Sequence, residues 1–288
     1  MSNTRLALAA AALAFTLAPQ AHAHGFAGNR FFPGTIAVED PAVADELALP
    51  TIASQDGETE YELEWGKRIT PNFGVSFGGA YVDGDEARGW SNLSTGLKYQ
   101  FLTDAQTETI LSAGVEVEWA GTGDRAVRED VTTIAPTFYF GHGFGQARAD
   151  WMRPFAVTGS VGVAVPTEGH HDDGEETTRE LEAGFTLQYS LPHLSAHVHD
   201  YGWSDWVNRL TPIVEVAVSQ PLGDSDEDLT GSVNPGVLWT GQHVQLGAEA
   251  IVPINDESGD NVGFRLQLHV FMDDLFPHSL GRPMFGAQ

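Results

Sequence analysis

Three groups of side chains in this 288-residue chain have the types and spacing to do chemistry. The densest is "EGHHDDGEE" at 168–176, where His170, His171, Asp172 and Asp173 offer the imidazole and carboxylate ligands that a divalent metal takes. Neighbouring ligands on one loop are poorly preorganised, so a solvated acidic loop is the competing reading. In "HLSAHVH", His193 and His197 stand four apart and would share a helical face, with His199 just beyond. No cysteine and no carboxylate at helical spacing joins them, which favours a packing role. His24 follows an Ala-x-Ala cleavage signal at Ala21–Ala23, and as a mature N-terminus it would offer amine and imidazole to copper if a second histidine completed the site.

Catalysis would need a nucleophile or water, a base and an orienting group. His243 and His269 could serve as bases, but no G-x-S-x-G elbow singles out a serine. The sequence therefore predicts no enzyme, no cofactor and no dedicated metal centre, with His24, His170, His171, Asp172 and Asp173 as the candidate ligands if a metal is bound.

A different set of charges is placed by pattern. Glu62, Glu64, Glu116, Glu118, Glu180, Glu182, Glu215 and Glu249, with Lys98 and Arg265 as the cationic minority, alternate with large apolar residues such as Tyr61, Leu63 and Trp65. Alternation at period two is the pattern of a strand with one apolar and one polar face. A charge in hydrocarbon costs several kcal/mol, so if the apolar face meets lipid these ten side chains line an interior. An acidic lumen favours cations or neutral solutes over anions. The alternative is a structural barrel whose lumen is closed by its own side chains or by the N-terminal segment.

The elements needed to hold such a lumen are present. Alternating segments recur from "TEYELEWGKR" to "NVGFRLQL", near the 9 to 11 residues of a tilted membrane strand. Short turns such as "TPN" alternate with longer acidic loops such as "GTGDRAVRED". An outward first crossing at 45–54, with Pro50 better suited to a strand end, brings the total to about 12 and leaves both termini on one side. The fold expected is an all-β, transmembrane, antiparallel up-and-down β-barrel. Two connections, 141–151 and 191–208, are long for the turn side, and the second fits a short amphipathic helix burying Trp203, Trp206 and Val207.

Residues 1–23 read as a signal peptide, 24–44 as a periplasmic segment able to plug the lumen, 45–275 as the barrel and 276–288 as a tail. No cysteine is available for staples, and 40 acidic against 14 basic residues argue against nucleic acid as a partner. Asn261, Gly263, Leu266 and Leu268 fit the C-terminal pattern read by the outer-membrane barrel assembly machinery, although a tail follows.

The succession "HGFAGNRFFPGT", "DPAVADEL", "WGKRITPNFG", "RPFAVTGSVG", "RLTPIVEV", "GAEAIVPIN" and "DDLFP" resembles a family of proteobacterial outer-membrane barrels grouped near the phenol-degradation meta-pathway transporter-like proteins. The resemblance spans nearly the whole mature chain. It implies a cell outer membrane location, lipid as partner and passage or binding of a small solute, and it brings no catalytic motif.

Overall fold

The structure is a computed structural model and describes residues 25–85, 87–171, 173–223 and 228–286. Residues 1–23, read above as a signal peptide, His24 and Asp172 lie outside the described residues.

The alternating segments form one antiparallel sheet from β3 (Glu46–Gln55), β4 (Glu58–Thr70), β5 (Phe73–Asp83), β7 (Leu93–Asp104), β8 (Thr109–Trp119) and β9 (Thr133–Gly143), continuing through β10 (Phe155–Pro166), β11 (Arg179–Tyr189), β12 (Leu210–Leu222), β13 (Thr230–Thr240), β14 (Val244–Pro253) and β15 (Gly263–Phe271). Each strand pairs with its neighbours in sequence, and β15 pairs with β3, so the sheet closes into a 12-stranded barrel. Closure leaves no strand edge with unpaired N–H and C=O groups, the condition for β structure in hydrocarbon. A short loop strand, β6 (Arg88–Trp90), extends β5, and β1 (Phe26–Ala27) pairs with β2 (Arg30–Phe31) in a separate hairpin.

The faces are inverted relative to a water-soluble domain. Phe77, Tyr99, Leu246 and Phe264 are each about half exposed on the outside, whereas Thr158, Thr186, Glu215 and Gln245 are fully buried on the inside. Apolar bulk therefore covers the outer surface and hydrogen-bonding groups fill the interior, as the pleat requires of a lipid-facing barrel.

Pro50 sits within β3, not at its end. The pairing of β3 with both neighbours shifts register between Ala48 and Thr51, a bulge in which the missing proline N–H has no ladder bond to supply.

Connections at one end, the turn end, include 71–72, 105–108 and 241–243; those at the loop end include 84–92, 120–132, 167–178 and 254–262. The β3–β4 link is a tight exception at the loop end, with Asp56 at φ 49° and Gly57 at φ 89°. The connection after β11 folds into short helical turns at Leu191–His193, Leu194–Val198 and Val207–Arg209. Trp203 and Trp206, expected on a buried helical face, are 44% and 61% exposed, and Trp203 stacks on the likewise exposed Tyr201 within the same connection. After β15 the chain makes a turn at Met272–Leu275 and folds back along the end of β4, where Met284 and Phe285 N–H groups donate to the Arg68 and Ile69 carbonyls.

Candidate functional site

Residues 25–45 run through the barrel interior, entering and leaving at the turn end. At the entry, the β1–β2 hairpin turns on Gly28 (φ 62°), where a Cβ would stand 2.4 Å from the Ala105 carbonyl oxygen in the β7–β8 turn. Arg30 is fully buried there. It donates from Nε to Glu108 (3.0 Å), from Nη1 to the Pro154 carbonyl (3.2 Å) and from Nη2 to the Arg153 carbonyl (2.5 Å). At the exit, the buried Asp45 carboxylate accepts from Lys67 Nζ (2.6 Å) and Arg68 Nε (2.8 Å). The same two cations donate to carbonyls of Leu280, Gly281 and Arg282, which ties the tail to the segment's exit.

Between these anchors the segment climbs into the lumen. Ile36 and Ala37 N–H groups donate to the Glu215 carboxylate on β12, which also accepts from Thr186 Oγ1 on β11. Glu39 pairs with Lys98 on β7 (2.5 Å) and accepts from the Tyr139 hydroxyl on β9 (2.8 Å), while Lys98 lies 4.5 Å from the Tyr139 ring centre. Gln245 donates to the Gly34 carbonyl, Ser112 to the Pro41 carbonyl, and the Val43 N–H donates to Gln100. Apolar side chains of the segment stand over wall glycines. A Cβ on Gly247 would meet Ile36 at 2.6 Å, on Gly184 Val38 at 2.5 Å, on Gly141 Pro41 at 3.0 Å and on Gly74 Val43 at 2.9 Å. The glycines are sockets.

The ten charges singled out by alternation share the inner face. Glu62, Glu64, Lys98, Glu116 and Arg265 border a cavity of about 350 Å³ between the segment and strands β15, β3 to β5 and β7 to β9. Glu116, Glu118 and Glu182 border a second, of about 500 Å³, on the other side of Val38 and Glu39. Glu180 accepts from the inward Ser219 hydroxyl. Glu215 and Glu249 are buried beneath the segment, and Glu249 accepts from Arg265 Nη1 (2.5 Å). Sequence reasoning did not find Arg30, Asp45, Glu39, Tyr139 or Glu108 as members of this site. None carries a motif, and the signal left unread was glycine at the inward positions 74, 141, 184 and 247.

The histidines are dispersed. His170 Nε2 faces Glu176 at 3.9 Å, and His171 Nδ1 meets Asp130 Oδ1 at 2.5 Å. The ligand atoms that converge among the described residues are those of Glu129, Asp130 and His171, from two different loops, so His170 and Asp173 do not join His171 as the adjacent spacing suggested. The Asp130 hydrogen bond raises the His171 pKa above the usual histidine value. His193 and His197 rings lie 4.9 Å apart beside the β1–β2 hairpin, with His193 buried. Burial, and secondarily the nearby Arg30, push the His193 pKa down to about 4. His243 lies in the β13–β14 turn, and His269 Nε2 meets Glu46 at 3.0 Å under Gly34.

No protein-family model matches the chain, and no curated protein sequence does. Among solved structures it is similar to the KdgM porin (TM-score 0.51, 9% identity) and to the NanC porin (TM-score 0.50, 8% identity); each alignment covers 78% of this chain and 98% of the porin. At such identities the likeness is one of fold. The shared fold extends over almost the whole of each porin, and in this chain it is the 12-stranded closed barrel.

Proposed function

We propose that this chain is an exported outer-membrane channel for small solutes, with an acidic lumen that favours cations or neutral molecules and an N-terminal segment that narrows it. The observation that carries the reading is the pair of cavities, about 350 and 500 Å³, flanking residues 36–39 and walled by Glu62, Glu64, Glu116, Glu118 and Glu182. Spaces of that size hold a small organic molecule or a hydrated ion. Carboxylates so placed raise the local concentration of cations and repel anions.

Membrane embedding is supported by the apolar outer face and by Trp151, Trp206 and Tyr201, all about 60% exposed or more at the turn end, where aromatic rings suit the headgroup region. The turn end would then face the periplasm, the loops the exterior, and the β15 pattern would serve recognition by the assembly machinery. The motif succession supports the narrower likeness to transporter-like barrels of the phenol meta-pathway group, and the reading includes no catalytic step.

A second reading, a closed structural barrel, is favoured by the two buried ion-pair anchors that hold the segment in place. Planar-bilayer reconstitution decides between them. The channel reading expects conductance with a cation-selective reversal potential that weakens in a Glu62→Gln/Glu64→Gln/Glu116→Gln variant, and larger conductance when residues 25–44 are removed. Anion preference, or silence in both the intact and the shortened chain, would sink it.

A further inference from the structure

The buried wall beneath the segment brings together two carboxyls, Glu215 and Glu249, with one cation, Arg265, beside them. Glu249 on β14 leans across β13 at Gly236, where an added Cβ would stand 2.6 Å from the Glu249 Cβ. No side chain stands in its way, so its carboxyl comes within hydrogen-bonding reach of the Glu215 carboxyl on β12. Glu249 Oε1 accepts from Arg265, but Glu249 Oε2 is sealed from solvent and has no donor among the described residues. Asn234 is the register partner of Glu215 on β13; it is fully buried, and neither of its amide atoms has a partner among the described residues.

Charge counting shows what is missing. Glu215 and Glu249 carry two negative charges and Arg265 one positive charge, and Arg265 is also attracted by Glu60 and Glu62 on β4. Thr186 on β11, Asn234 on β13 and the Ile36 and Ala37 amides supply only dipoles. Two carboxylates facing each other out of water cannot both stay charged unless something positive lies between them.

We propose that Glu215, Glu249 and Asn234 form a cation site in the barrel wall, and that its occupant sets how firmly Glu215 holds the Ile36 and Ala37 amides. The donors are all oxygens, which suits a hard metal ion such as Na⁺ or Ca²⁺ and not a thiophilic metal. With the site filled, Glu215 remains in place as the acceptor of the segment. With it empty, Glu249 repels Glu215, and the middle of the segment loosens while its Arg30 and Asp45 anchors stay made. The site stands whether or not the barrel conducts, because its readout is the segment and not the current.

The test is hydrogen exchange on the full mature chain in detergent micelles, read at the Ile36 and Ala37 amides at one fixed pH of about 8, with choline as the only added cation, with NaCl, or with CaCl2. The choline sample should exchange at least about tenfold faster than the sample in NaCl or in CaCl2, with protection of the strand amides unchanged. Glu249→Gln, whose amide can donate to Glu215, should stay protected in every condition. Equal exchange of the natural chain in choline, NaCl and CaCl2 would overturn the site.

Discussion

Replacing Arg30 with methionine isolates one anchor of the lumen segment. The guanidinium makes three hydrogen bonds, to Glu108 and to the Pro154 and Arg153 carbonyls, and its side chain is fully buried, with that of Glu108 only 8% exposed. Methionine matches the length of the stem but leaves Glu108 as a buried carboxylate with one remaining donor, the Gly145 N–H at 3.0 Å. Breaking a buried pair from one side costs about 3 to 5 kcal/mol, and the surviving Gly145 bond argues for the lower figure. At about 1.4 kcal/mol per decade, 3 kcal/mol is roughly a hundredfold shift toward an undocked entry. Single-channel recording should therefore show Arg30→Met spending far more time in a high-conductance state than the natural chain. Arg30→Met/Glu108→Gln removes the stranded charge and should recover most of the docked behaviour. Identical dwell times in Arg30→Met and the natural chain, or a double variant no better than the single, would refute the anchor.

Other consequences can be measured separately. His193, held neutral near a pKa of about 4 but free to protonate at about 6.5 once unfolded, withdraws stability as pH falls from 6.5 toward 4. The loss reaches about 3 kcal/mol, visible as a fall in Tm that His193→Gln lacks. His171, raised by Asp130, favours the fold while protonated and loses that contribution as pH rises through its folded pKa; NMR titration should find Asp130→Asn returning it toward the usual histidine value. In Gly184→Leu the new side chain takes the space of Val38, whose Cγ1 already lies 2.5 Å from an ideal Cβ, so the variant should expel the middle of the segment and raise conductance without unfolding the barrel.

The barrel was legible because hydrocarbon leaves so little freedom. A strand with Tyr61 and Trp65 on one face and Glu62 and Glu64 on the other has one acceptable orientation, so pleat and solvent fix register and facing together. Pro50 misled only about position, since a bulge accommodates it as well as a strand end does. The lumen segment was legible as a length of chain but not as a fit. Its fixings are wall side chains reaching backbone groups, such as Gln245 to the Gly34 carbonyl and Glu215 to the Ile36 and Ala37 amides, and backbone groups have no identity in a sequence. The one readable trace was negative: Gly74, Gly141, Gly184 and Gly247, at inward positions, are where a side chain is withheld. The His171 partner was equally hidden, since Asp130 lies 41 residues away on another loop.

Unequal holding along the segment determines how any opening must occur. Both ends rest on buried charge pairs that also grip neighbouring backbone, Arg30 on Arg153 and Pro154, and Lys67 and Arg68 on the tail. The middle rests on Glu215 and on the Glu39–Lys98 pair, in which Glu39 is 40% exposed and so open to screening by solvent ions. The bend at 36–39 should therefore shift while the ends stay fixed. Val38→Cys/Gly184→Cys would lock that bend in a chain with no other cysteine. An ideal Cβ on Gly184 stands 3.2 Å from the Val38 Cβ, slightly inside the roughly 3.5 to 4.5 Å of disulfides, so a small relaxation closes the bond. Oxidised, the variant should lose its open events and keep the cavities' outer access; reduced, it should regain them. Open events that persist in the oxidised barrel would mean that solute passes beside a static segment, and that the bend is wall, not gate.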